Sequence, residues 1–308
     1  MPVFPLRCAP PVPSGATADT ARVPVLHRGG RASPSQDALE NRFVIGLPLS
    51  QIMAVADRLF PFEAAEPWDN CGIQIGDPRR MVLSIAFSLD ATPQTVEFAA
   101  DLGCELLVTH HPVILDPVRR IVPDDLPGST LFAAARLGVD VLSLHTNLDA
   151  AAGGLNDHLA VALGLDDVTI PVNASCARLG LLAEAVSLFG FADRVSKSLA
   201  LGRLRVVAAG DRQVRKVFCA SGSGMGYLNK AVACGADVMV TGDLRYHAAR
   251  EALQRGMPVI DAGHYGLEKA APRVMAGAFQ REFSAMGVDI PCHPCDQEKE
   301  PFFYIDER

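Results

Sequence analysis

Basic excess, close cysteine pairs and long apolar runs are all scarce in this chain. Its 308 residues carry 28 Lys and Arg against 35 Asp and Glu, for a net charge of −7. A protein that neutralises the phosphates of a nucleic acid needs a basic face, so this balance disfavours a dedicated nucleic-acid partner. No stretch approaches the ~20 apolar residues of a membrane span. The eight cysteines (8, 71, 104, 176, 219, 234, 292 and 295) are scattered, most of them among apolar neighbours. That pattern fits reduced, buried thiols in a cytoplasmic protein better than a disulfide framework. Cys292-His-Pro-Cys295 is the one close pair, and no second pair stands ready to complete a zinc site with it. What the chain does have is apolar material: 49% hydrophobic and 20% charged residues exclude global disorder and permit a substantial core.

Residues 1–47 differ from the rest. They hold seven prolines, no sustained apolar period and five arginines against three acids, and read as a disordered tail. An organelle transit peptide or a mis-assigned start codon are both open for this segment. From Leu47-Pro-Leu-Ser50 onward, strand and helix patterns alternate. Ser50 is the expected N-cap of a helix whose apolar face includes Ile52, Val55, Ala56 and Leu59. Strands are expected over 82–89, 105–109, 139–144, 178–183, 204–208, 214–219, 236–240 and 259–260. Helices are expected over 93–100 (capped by Thr92, with Pro93 in the first turn), 129–137, 154–163, 189–199, 227–233 and 246–254, and a long one over 267–286. Pro171-Val-Asn-Ala-Ser-Cys176 marks a shift between lobes. The expected organisation is α/β: a first lobe from 48–172 and 264–308, and a second from 173–263, each with helices packed on a sheet.

Three strand ends carry candidate metal ligands. Leu106-Leu-Val108 leads into His110 and His111, which can face different ways and serve two neighbouring ions. Val139–Leu144 leads into His145-Thr-Asn-Leu-Asp149. Pro258-Val-Ile-Asp-Ala-Gly leads into His264-Tyr-Gly-Leu-Glu268, where a step of one helical turn puts His264 and Glu268 on one face. In open α/β sheets, ligands bind beyond the carboxyl ends of the strands, so a cleft there is the expected place for the site. Histidine nitrogen with carboxylate oxygen suits zinc, iron or manganese rather than calcium. Two carboxylates can offset the repulsion between a pair of divalent transition-metal ions, and such a pair activates water and clamps an oxyanion. Taken singly, Asp149 also reads as an acid favoured by a helix dipole and Glu268 as a solvated helix residue.

Weaker signals surround these. Ser221-Gly-Ser-Gly-Met-Gly226 sits between a strand and a helix, as a tight turn or an anion cradle. It fails the dinucleotide fingerprint because Tyr227 stands where the third glycine belongs. His145 is the candidate proton shuttle, or a group that orients a ligand, and His247 is a second catalytic candidate. Asp69 and Asn70, after the only tryptophan, either orient histidines or cap a turn.

Six blocks occur in order: Trp68-Asp-Asn-Cys-Gly-Ile-Gln-Ile-Gly76, Thr109-His-His-Pro112, His145-Thr-Asn-Leu-Asp149, Ser221-Gly-Ser-Gly224, Thr241-Gly-Asp-Leu-Arg-Tyr-His247 and Gly263-His-Tyr-Gly-Leu-Glu268. Together they resemble the signature of the dinuclear-metal, toroid-forming family of type 2 homologues of GTP cyclohydrolase I, the yeast NGG-interacting-factor-like family. The resemblance covers roughly residues 48–308. It implies metal ligands at His110, His111, Asp149, His264 and Glu268, a two-lobed subunit, and a homohexamer assembled from dimers.

Two functions fit this reading. One is a metal-dependent hydrolase acting on a nucleotide-like substrate; the resemblance implies attack on a purine ring carbon of GTP, and a phosphoesterase would use the same ligands. The other is a non-catalytic ring whose metals serve a structural, storage or regulatory role. Open coordination positions favour the first, and closed ones the second.

Overall fold

A computed structural model describes residues 46–303 and 305. The chain opens with strand β1 (Leu47–Pro48) and helix α1 (Leu49–Leu59), then strands β2 (Gly72–Ile75), β3 (Met81–Val82) and β4 (Ile85–Ser88). Helix α2 (Pro93–Asp101), β5 (Leu106–Thr109), α3 (Gly128–Leu137), β6 (Asp140–Ser143), α4 (Thr146–Ala150) and α5 (Leu155–Ala162) follow. Next come β7 (Leu165–Thr169), β8 (Arg178–Ser187), α6 (Leu188–Ser198), β9 (Arg205–Val207), β10 (Gln213–Cys219), α7 (Leu228–Ala233) and β11 (Val238–Thr241). Helix α8 (Tyr246–Gln254), β12 (Val259–Asp261), α9 (His264–Glu268), α10 (Ala271–Ala285) and β13 (Cys292–Pro294) complete it.

The strands form two main sheets. The first has the order β13-β4-β5-β6-β2, with β13, β4, β5 and β6 parallel and β2 antiparallel at the edge. The second has the order β7-β8-β10-β11-β12-β9; its parallel centre is β10-β11-β12. Strand side chains alternate between faces, and both sheets use both faces. In the first sheet, Ile85, Phe87, Leu106, Val108 and Leu142 pack with α1 and α10 through Ile52, Val55, Met275, Phe279 and Phe283. Ala86, Leu107 and Val141 face α2 and α3 through Val96, Ala99, Leu131 and Ala134. In the second sheet, Val217, Val238, Val240 and Ile260 meet Leu188, Phe191 and Val195 of α6, while Phe218, Met239 and Val259 meet α7 and α8. Each large apolar side chain buried this way contributes roughly 1.5–3 kcal/mol.

Several boundaries differ from expectation, each for a physical reason. Helix α1 starts two residues early, with extended Pro48 rather than Ser50 as its N-cap. Leu47, expected in the tail, is buried and pairs with Val82; the expectation for residues 1–45 lies outside the described residues. The long helix expected over 267–286 is two helices, because Pro272 lacks the N–H needed to continue α9 and sits instead in the first turn of α10. Strands β2, β7 and β13 carry too little alternation to be read from the sequence. β7, expected within the first lobe, hydrogen-bonds to β8 of the second sheet. At α2, Thr92 accepts from Thr95 N–H and Pro93 starts the helix, as its residues predict. No helix among the described residues is long and apolar enough to cross a membrane.

Candidate metal centre

The parallel strands of both sheets deliver side chains to one place. β5 runs directly into His110 and His111. β6 runs into His145, and α4 then carries Asp149. β12 leads to His264 at the start of α9, with Glu268 one turn on. His110, Asp149 and Glu268 are buried, and His111 and His264 are partly so.

Each of four imidazoles is braced from behind at Nδ1. His110 Nδ1 lies 2.9 Å from Leu144 O and His111 Nδ1 2.7 Å from Asp90 Oδ1. His145 Nδ1 lies 2.9 Å from Asp69 Oδ1 and His264 Nδ1 2.8 Å from Asp243 Oδ2. Carbonyl and carboxylate oxygens only accept, so Nδ1 carries the proton and donates in every case. In the neutral ring, Nε2 is then left with a lone pair.

Those lone pairs converge. His264 Nε2 lies 3.3 Å from His111 Nε2 and 2.9 Å from Glu268 Oε2; His111 Nε2 is 3.0 Å from the same oxygen. His110 Nε2 approaches Glu268 Oε2 at 3.7 Å and Asp149 Oδ1 at 3.9 Å, too far for a hydrogen bond, and it is buried without a hydrogen-bond partner. Electron-pair donors this close repel unless a cation, whether a proton or a metal ion, lies among them. Three sets of side chains bring their ligand atoms within 4.8 Å of one another: His110, His111 and His145; His111, His264 and Glu268; and His110, Asp149 and Glu268. These histidine and carboxylate groups could hold a metal ion, and the nitrogen and oxygen donors suit a transition metal.

Protons partly fill that role in the metal-free protein. Burial opposes charge on His111, but hydrogen bonds to Asp90 and Glu268 outweigh it and push its pKa up to about 10. The Glu268 hydrogen bond acts on His264 against a smaller burial penalty and pushes its pKa up to about 9. Burial favours neutral Glu268, yet His110, His111 and His264 together hold it well below the usual carboxylate range. Asp149 goes the other way: burial raises its pKa more than His110 lowers it. Burial weighs heavily against charge on His110, but Asp149 and Glu268 raise its pKa nonetheless.

A surrounding layer fixes the ligand groups. Ser221 Oγ donates to Asp149 Oδ1 at 2.9 Å, and Asn156 holds the Ser221 backbone N–H at 2.8 Å. Gly222 has φ +56, and a Cβ there would fall 2.4 Å from Glu268 Oε1. The Ser221–Gly226 segment is therefore a tight turn pressed against the carboxylate, and its Ser221 and Gly224 amides are spoken for by Asn156 and by Thr241 Oγ1. Asp69 orients His145 and also accepts from Thr146 N–H and Oγ–H; despite burial, these bonds lower its pKa. Asn70 instead bonds Ile114 O and pins the loop.

All five predicted ligands and His145 thus come together. His247 does not: it lies on α8 against Tyr246, outside every metal-holding group among the described residues. Cys292 and Cys295 are free thiols with raised pKa, Cys292 to about 12, so neither is primed as a thiolate. Asp90 and Asp243 were missed as braces for His111 and His264, although each stands just beyond a strand end. The legible signal is spacing: each aspartate precedes its histidine by 21 residues.

The chain is similar to known proteins in sequence and in fold. A Lactococcus lactis protein named GTP cyclohydrolase 1 type 2 homolog is 31% identical over 263 residues, covering 84% of this chain and 100% of its own length. A Clostridium acetobutylicum protein of the same name is 28% identical over 265 residues, covering 84% and 99%. The crystal structure of a Staphylococcus aureus hypothetical protein shares the fold, with a TM-score of 0.79 and 24% identity over 84% of this chain and 99% of that one. The family model for Duf34/NIF3 (NGG1p interacting factor 3) matches residues 47–301, and the chain belongs to that family.

Proposed function

We propose that this protein is a metal-dependent hydrolase holding two divalent transition-metal ions (zinc, iron or manganese) and acting on a nucleotide-like substrate. The observation that carries the reading is the convergence of braced Nε2 atoms and buried carboxylates around the unpartnered His110 Nε2. His110, Asp149 and Glu268 would hold one ion and His111, His264 and Glu268 the other, with Glu268 common to both sets. Bound there, such ions acidify water and clamp developing negative charge. His145 Nε2 takes the proton released by water, while Asp69 fixes its Nδ1–H and stabilises the imidazolium that results.

Room for a substrate adjoins the site. A cavity of about 630 Å³ opens beside His111 and His264, within the range of small-molecule pockets. Its wall mixes Arg203, Arg205 and Lys299 with Asp90, Asp243, Asp261 and Glu300, Arg205 being paired to Asp261, and Phe302 supplies an apolar rim. The names of the relatives point the substrate class toward nucleotides. Self-association into a homohexamer and a cytoplasmic location belong to the same proposal.

The test is elemental analysis of protein purified without chelator or affinity metal, beside His110→Ala/Glu268→Ala. Near two transition-metal ions per chain, absent from the double variant while its helix signal persists, is the expected result. Turnover of GTP or phosphoesters by the loaded protein alone completes the case. Protein that neither carries nor takes up zinc, iron or manganese overturns it.

A further inference from the structure

The metal centre accounts for Asp69, His145 and the histidines around them, but not for the residue that precedes Asp69. Trp68 is the chain's only tryptophan and is 60% exposed. A large exposed indole carries a standing hydration cost, and it is normally free to swing. This one is held. Its ring meets the ring of His145 edge-on, with centroids 5.8 Å apart and planes at 76°. The following residue is locked on all sides: Asp69 N–H donates to Glu66 O at 2.9 Å, and its carboxylate grips His145 and Thr146. Asn70 is tied in turn to Ile114 O at 2.6 Å. The loop thus presents an apolar, planar, preorganised surface beside His145.

Its position is specific. The rings of Trp68, His145, His111 and His264 follow one another with centroid separations of 5.8, 5.5 and 5.3 Å. At the His264 end lies the cavity, whose wall carries Arg203, Arg205 and Lys299 among Asp90, Asp243, Asp261 and Glu300, with Arg205 paired to Asp261. An aromatic face stands at one end of the metal centre and a cavity of mixed charge at the other.

We propose that Trp68 is a stacking platform for the nucleobase of the substrate, and that it lays a planar heteroaromatic ring beside His145 at the edge of the metal centre. The proposal rests on the nucleotide-hydrolase reading for its substrate class and deepens it. Stacking is tolerant of ring identity, because every base has a π-face, so Trp68 supplies affinity and position, and other groups supply discrimination. The edge-on contact with His145 also ties the platform to the proposed proton carrier, so that a stacked ring lies within reach of both.

A single tryptophan makes the test direct. Its emission in the full-length protein is followed on titration with guanosine, GTP and inorganic triphosphate, with metal present and after chelation. Guanosine and GTP should quench it saturably under both conditions, and triphosphate should not. By calorimetry, Trp68→Ala should weaken guanosine binding about tenfold, the scale of one base-stacking contact, and Trp68→Phe should weaken it less. Metal content should be the same in all three proteins.

Unchanged emission with guanosine, or equal guanosine affinity in Trp68→Ala and the parent, overturns the proposal. So does a blue-shifted emission, shielded from acrylamide, that reddens on dilution, which would assign Trp68 to contact between copies of the chain. Failure of the hydrolase reading looks different: guanosine quenches as expected, but the protein lacks metal or turns nothing over.

Discussion

Two βαβ units, one in each sheet, build the centre by the same rule. In β4-α2-β5, Asp90 follows the first strand and His111 the second; in β11-α8-β12, Asp243 follows the first and His264 the second. Helices α2 and α8 each span nine residues, and each aspartate precedes its histidine by 21. The spacing has a mechanical origin. A short helix returns the chain to the neighbouring parallel strand, roughly 4.8 Å away, so a carboxylate and an imidazole at adjacent strand ends meet edge to edge. The units differ in what surrounds that pair. The first adds His110, buried and braced by a carbonyl, where the second has Gly263 at φ +73. Glu298 also clamps the first, accepting from Leu89 and Asp90 N–H at 2.7 and 2.8 Å. The second contributes Glu268 on α9, which reaches across to His110 and His111. The shared part of the design aims a ligand, and the unshared parts decide how deeply an ion is buried.

The sharpest way to break this likeness is Gly222→Ala. It adds about 1–2 kcal/mol of left-handed backbone strain and drives a methyl group into Glu268. Metal should be lost from the positions Glu268 serves while circular dichroism keeps its helix signal; elemental analysis showing full occupancy would refute the close approach.

Acid should act next, and on both units together. Metal binding needs neutral imidazoles, whereas in the metal-free protein the pKa values of His111 and His264 are raised to about 10 and about 9. At neutral pH an entering ion must therefore displace protons, so affinity falls as pH falls. Displacing two protons corresponds to about a hundredfold loss per pH unit below 9. Calorimetry in buffers of different ionisation enthalpy counts the protons, and uptake without proton release would mean that both imidazoles are already neutral in the metal-free protein.

Asp90→Asn and Asp243→Asn test the likeness itself. Each should weaken metal binding about 10–100-fold by loosening one histidine, with little change in folding. Equal effects would confirm equivalent braces. If only one variant loses affinity in a chelator competition, the matched spacing has no functional counterpart.

Much of this architecture was legible in the residues. Strong apolar runs such as Leu106–Val108 and the Thr92-Pro93 start gave strands and helices close to those observed. The clustered histidines were legible because a polar residue directly after a buried strand has few other places to go. Three things were not. Strands β2 and β13 are held by pairing with β6 and β4 rather than by their own pattern. The break before α10 depends on Pro272 overruling a continuous apolar period. The braces Asp90 and Asp243 resemble ordinary turn acids until the parallel pairing of β4 with β5 and of β11 with β12 sets them beside their histidines.

Glu268 and Asp149 arrive from different sheets and meet at one imidazole. An ion gripped by both would act as a rivet between the two sheets. Its binding free energy would then add directly to the work of prising them apart, growing with the logarithm of free metal. The melting temperature becomes a gauge of metal supply, and a starved cell would hold a looser protein that proteases reach first.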